Sequence, residues 1–168
     1  MAKQKGFSLI ELLIVVAIIL IIAAIAIPNL LRARISANES GAAQAVRSIT
    51  TAETMYMTAY PSQGYTATLG ALGTGGPNMA CPTPPSSASS CLLDPQLASG
   101  TKGGYNFKAG PGAVGGVPQL DFSEGGKPSG PSTGVRSFCA LQDNIVRVDP
   151  VGAQDGSTCT TALSPLGN

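Results

Sequence analysis

Glu11 is the residue that most needs a chemical explanation, because it interrupts an otherwise apolar run. From Phe7 to Ile27 only Ser8 and Glu11 are polar, and Leu12 through Ile27 is unbroken apolar sequence. A carboxylate at the centre of a membrane helix costs roughly 2.5–3.5 kcal/mol on insertion scales, and less near an end. It still wants a partner. The N-terminus of a helix is one, since its orphan amide N–H groups and aligned peptide dipoles favour negative charge. A primary amine is another. A cut between Gly6 and Phe7 would create an α-amino group about one helical turn before Glu11. The amine of an adjacent subunit in a helical bundle would serve equally, and apolar surroundings strengthen either pairing.

Few other residues are equipped for chemistry. The chain has no histidine, which removes Ser-His-Asp and Cys-His catalysis, histidine-ligated haem and histidine-containing zinc sites. Cys81, Cys91, Cys139 and Cys159 are widely spaced and form no C-x-x-C. An even cysteine count behind an export-type N-terminus points to disulfides in an oxidising compartment rather than to zinc. Sequence neighbours favour Cys81 with Cys91 and Cys139 with Cys159; Cys81–Cys159 with Cys91–Cys139 stays open. Asp143, Asp149 and Asp155 do not match an EF-hand loop, so turn formation explains them better than calcium. No metal site or cofactor is expected. Lys and Arg total 10 against 9 Asp and Glu, which gives no field to hold nucleic acid. A phosphate-cradling P-loop is also missing. An enzyme is not expected.

The elements that must position Glu11 follow from the same stretch. Lys3 and Lys5 precede a segment as long as the roughly 20 residues needed to cross a bilayer, and such basic residues stay cytoplasmic. An ordinary signal anchor fits this layout. A secretory signal cut after Ala24-Ile25-Ala26 has the small-x-small pattern. However, Pro28 follows almost at once, and the apolar region exceeds the usual h-region of about 7–15 residues. Neither reading explains the carboxylate.

Gly6-Phe7-Ser8-Leu9-Ile10-Glu11-Leu12-Leu13-Ile14-Val15 resembles the processing site of type IV pilins and pseudopilins, and the short leader resembles the type IVa class. The resemblance covers about residues 1–60, and only a general likeness extends beyond. It implies that a prepilin peptidase cuts after Gly6 and methylates the Phe7 amine. It implies that Glu11 neutralises the Phe7 amine of a neighbouring subunit, and that Pro28 bends the helix. Expected partners are copies of the chain in a helical filament, the peptidase, an inner-membrane assembly platform and its ATPase, and the membrane before assembly. The expected location is the inner membrane for the precursor and the cell surface for the filament. A type II secretion pseudopilin or a minor pilin is the alternative.

The organisation expected is therefore a leader (1–6), a transmembrane and filament-core helix (7–27), an amphipathic helix half (28–60) and a head (61–168). The fold class is α+β, a long N-terminal helix with a small antiparallel sheet packed on its C-terminal half. Leu31, Ile35, Ala42, Val46, Ile49, Ala52 and Tyr56 recur at helical spacing along one face. Tyr60-Pro61 should end the helix. Continuous helix is expected in the free subunit, with residues 28–41 able to unwind in a filament. Residues 61–103 read as loop, and the Ser/Pro-rich stretch 82–90 as an exposed one. Strands are expected at 104–108, 117–122, 135–140 and 145–148, the last two as a hairpin around Gln142-Asp143-Asn144.

Overall fold

The computed structural model describes residues 7–66, 68–74, 80–111 and 120–167. Its first element, α1, spans Leu9–Ala59 and continues through Pro28 and Gly41. The chain divides into two compact units, Met1–Arg34 and Ile35–Asn168.

In the first unit, every residue from Phe7 to Ile22 is exposed. From Leu12 onward the side chains are Leu, Ile, Val and Ala on all sides, so no face is distinguished for a core.

In the second unit, the rest of α1 supplies the centre of the core. Ala42, Val46, Ile49, Ala52 and Tyr56 are buried at spacings of three and four, which keeps them on one side of the helix. Small alanines at positions 42, 43, 45 and 52 let the sheet approach closely. Leu31, assigned to this face by spacing, is exposed instead, because the buried face begins only at Glu39. After Ala59 the chain turns, with Gly64 at φ 77°, a left-handed conformation that suits glycine.

Six strands follow in an antiparallel meander whose spatial order is the chain order. They are β1 (Thr101–Lys102), β2 (Tyr105–Pro111), β3 (Phe122–Pro128), β4 (Ser137–Leu141), β5 (Arg147–Asp149) and β6 (Ser164–Pro165). The sheet and the C-terminal part of α1 bury Tyr105, Phe107, Phe138 and Ile49 in one cluster. The β4–β5 hairpin lies where the sequence places it, with Phe138 opposite Val148.

Two local expectations need correction. The strand expected at 117–122 is in fact β3, which starts at Phe122; residues 117–119 lie outside the described residues. Its body, Ser123-Glu124-Gly125-Gly126, lacks strand propensity, but packing demands those glycines. A Cβ on Gly125 would fall 2.7 Å from Gly156 N, and one on Gly126 would fall 2.5 Å from the Phe107 ring. The loop expected at 61–103 also contains α2 (Leu69–Leu72), α3 (Pro95–Ala98) and β1. Thr68 caps α2, and Asp94 caps α3 ahead of a proline at its first turn, both ordinary start signals.

Disulfides join Cys81 to Cys91 and Cys139 to Cys159. The first closes the Ser/Pro-rich loop. That loop is less free than its composition implies: Ser86 and Ser89 pair as an antiparallel bridge, and Tyr56 Oη donates to Ser87 O at 2.8 Å. The second ties the C-terminal tail to the buried Cys139 of β4.

Candidate functional site

Phe7, Ser8 and Glu11 open α1. The Ser8 N–H donates to Glu11 Oε2 at 3.0 Å, and Leu12 N–H donates to Ser8 O at 3.3 Å. Ser8 stands just before the first helical residue and Glu11 at the third helical position. This is half of a capping box, in which a glutamate returns to satisfy an orphan amide at its own helix start. The signal was legible as Ser-x-x-Glu ahead of an apolar run. The helix-terminus partner considered for Glu11 is thus made within the subunit. Glu11 remains exposed, as does Phe7 beside it. Gly6, the other side of the expected cleavage bond, lies outside the described residues.

Behind this carboxylate runs a helix long and apolar enough to cross a membrane, with none of its apolar window buried. A contiguous apolar surface of this extent marks a partner or a membrane. The arrangement offers one polar anchor at the tip and featureless grease below it. Apolar contact supplies attraction without register, and a single charge pair fixes a stagger better than it adds net stability.

The head shows different chemistry. Asp143, Asp149 and Asp155 do not converge. Asp143 accepts from Ile145 N–H and pairs with Arg147. Asp149 accepts from Val151 and Ala153 N–H. Asp155 pairs with Lys108 at 2.8 Å, and the hydrogen bonds from Lys108 and Ser157 hold its carboxyl down at about 2. All three act as turn and ion-pair residues. Among the described residues, no group of three or more Cys, Asp and Glu side chains could hold a metal ion.

Glu39 of α1 carries a charge, yet it is buried. It accepts from the Val135 and Arg136 N–H groups at 3.0 Å each, and from Arg136 Nε at 2.9 Å. Burial pushes its carboxyl upward, but the Arg136 and Val135 backbone bonds and the Arg136 guanidinium together hold it below the ordinary range. This fastens α1 to the segment leading into β4. Glu53 and Glu124 are also buried, and sequence reasoning missed both. A glutamate on a helix or strand reads as solvent-facing unless its partners are known.

Comparison with known proteins bears on the N-terminus. Residues 1–27 match the family model described as the prokaryotic N-terminal methylation motif. A stretch of 40 residues is 65% identical to the type IV wide pilus major component PilA4 of Thermus thermophilus. That match takes in 24% of this chain and spans 30% of the relative's length. No solved structure matches the chain significantly. The methylation motif thus coincides with Phe7, Ser8, Glu11 and the exposed apolar start of α1. The head stands outside these matched N-terminal residues.

Proposed function

We propose that the chain is a structural subunit that polymerises through its N-terminal helix into a type IV pilus on the cell surface. The observation that carries this reading is the prepilin motif set on a helix exposed and apolar on every side. Such a helix is stable in lipid and equally stable in the centre of a bundle of its own kind. The subunit can therefore pass from membrane to filament without showing its apolar surface to water.

The proposed sequence of events uses four positions. A prepilin peptidase hydrolyses the Gly6–Phe7 bond and methylates the new Phe7 amine. The Glu11 carboxylate, which satisfies the Ser8 amide in the single subunit, exchanges that bond for the ammonium of a neighbouring Phe7 during assembly. The geometry supports this exchange because Glu11 is exposed. Pro28 removes one helical hydrogen bond and supplies the point where α1 bends or where residues 28–41 unwind. The heads form the filament wall, braced by the Cys81–Cys91 and Cys139–Cys159 disulfides. An inner-membrane platform and its ATPase provide the work. The relative's description as a major pilus component favours a surface filament over a type II secretion pseudopilin or a minor pilin.

Filaments sheared from cells test the reading. The subunit should be abundant in them and begin at methylated Phe7. Confinement of the processed chain to the envelope would favour the pseudopilin.

A further inference from the structure

Glu53 on α1 and Glu124 on β3 each have 0% of their surface exposed. Among the described residues, no ion pair reaches either one; the pairs present use Asp94, Asp155, Glu39 and Asp143. A carboxylate buried without a cation is costly, and such a group ordinarily stays neutral by keeping its proton.

The hydrogen bonds identify where that proton sits. Thr50 Oγ1 lies 3.0 Å from Val46 O, one turn back along α1, and also contacts Glu124 Oε1. A hydroxyl has one proton to donate, and a backbone carbonyl can only accept. Both contacts are hydrogen bonds together only if the second proton comes from Glu124. The chain then runs from the Glu124 carboxyl O–H to Thr50 Oγ1, and from the Thr50 O–H to Val46 O.

Among the described residues, no cation pairs with Glu124 to favour the charged form. Glu124 faces Ala109 of β2 and Ala140 of β4 in the sheet. From α1 it meets Thr50 and the charge of Glu53. Glu53 Oε2 accepts the Thr66 N–H at 2.9 Å, while Glu53 Oε1 and Glu124 Oε2 have no hydrogen-bond partner. Tyr56, next along the helix, is occupied with Ser87 O. Arg47 lines an open groove of about 400 Å³ beside Thr50, with Thr51, Thr54 and Asn144, but pairs with neither glutamate.

We propose that Glu124 is a neutral carboxylic acid whose proton latches β3 to α1 through Thr50, making the head's hold on the helix pH-dependent. Burial pushes the Glu124 carboxyl well above its ordinary value, and a charge on Glu53 adds to this; a Thr50 hydroxyl donating to the carboxylate would oppose it, but that proton is committed to Val46 O. Burial likewise pushes Glu53 to about 8, against the Thr66 hydrogen bond.

The folded head therefore keeps a proton that the unfolded chain releases near 4.5. Its stabilisation is full below that value and is lost as pH rises toward the folded value. With no histidine in the chain, no imidazole titrates in the same window.

The test is urea unfolding of the full-length chain in detergent from pH 5 to 8, for the native chain and Glu124→Gln, whose amide can donate to Thr50 as the acid does. Glu53 and the terminal amine titrate in both chains, so the difference between them isolates Glu124. The ratio of their folding equilibrium constants should rise with pH in favour of the variant, by up to about tenfold per pH unit below the folded value. A ratio constant with pH overturns the proposal. Should Glu124→Gln fail to fold, infrared spectroscopy of the native chain and of Glu53→Gln at pH 7 decides. The carbonyl stretch of a protonated carboxylic acid is expected to persist when Glu53, itself raised to about 8, is replaced in Glu53→Gln, and its absence there overturns the latch.

Discussion

The two parts of α1 differ in composition, with six Leu and eight Ile in Leu9–Arg34 against no Leu and two Ile in Ile35–Ala59, and they are completed in opposite ways. From Leu9 to Arg34 no residue is buried, and from Leu12 to Ile27 the sequence offers the same apolar surface in every direction. From Ile35 to Ala59 the apolar residues gather on one side and the chain's own sheet covers them. The first part is thus unfinished in a single subunit, while the second is finished by its own head. The carboxylates differ in parallel. Glu11 is exposed and holds only a local amide. Glu39, Glu53 and Glu124 are buried, and each has a committed contact to the fold. Such a helix leaves its bare apolar part available to lipid or to another chain.

The largest effect should come from Glu11→Ala. Surface filaments should fall to background in immunoblots of sheared material, while the membrane pool and the head's near-UV circular dichroism stay unchanged. Normal filament yield would break the contrast between the two parts of the helix.

A matched pair of truncations sharpens it. Ile49→Ala, at a fully buried position, should cost about 2–5 kcal/mol in urea unfolding of the chain. Leu13→Ala, at an exposed position, should leave that unfolding within about 0.5 kcal/mol.

Arg136→Ala should destabilise the head by about 1–3 kcal/mol, because it leaves a buried carboxylate without its cation. The folded Glu39 carboxyl titrates below its ordinary value, so its stabilisation is present above 4.5 and lost as pH falls through the folded value. The Arg136→Ala chain should therefore lose less stability than the native chain on acidification, which urea midpoints at pH 7 and pH 3 would check. Smallest of all, Lys102→Ala removes an exposed pair with Asp94 and should shift the midpoint by no more than about 0.5 kcal/mol.

Much of this contrast was legible in the sequence. The unbroken run Leu12–Ile27 could only be a membrane or core helix, and Ala42, Val46, Ile49, Ala52 and Tyr56 declared the covered face by spacing. The β4–β5 hairpin was equally plain, because Phe138 and Val148 alternate with polar neighbours on either side of a turn. What escaped were features that depend on contacts distant in sequence. β3 was obscured because Gly125 and Gly126 are there to make room for Gly156 and the Phe107 ring, and nothing local signals that. The buried glutamates were hidden for the same reason: Glu39 looks like a solvent residue until Arg136, far along the chain, is placed beside it. At the site itself, Glu11 was marked by its apolar setting. Its bond to Ser8 was readable as a capping pattern, whereas a neighbour's amine belongs to another molecule and leaves no trace in one chain's spacing.

The central claim is that the first part of α1 is completed by other copies of the chain after processing at Phe7. Mass spectrometry of the N-terminal peptide from a sheared cell-surface fraction tests it most directly. The account predicts an abundant peptide that begins at methylated Phe7. A peptide that begins at Met1, or at Ile27, would contradict it.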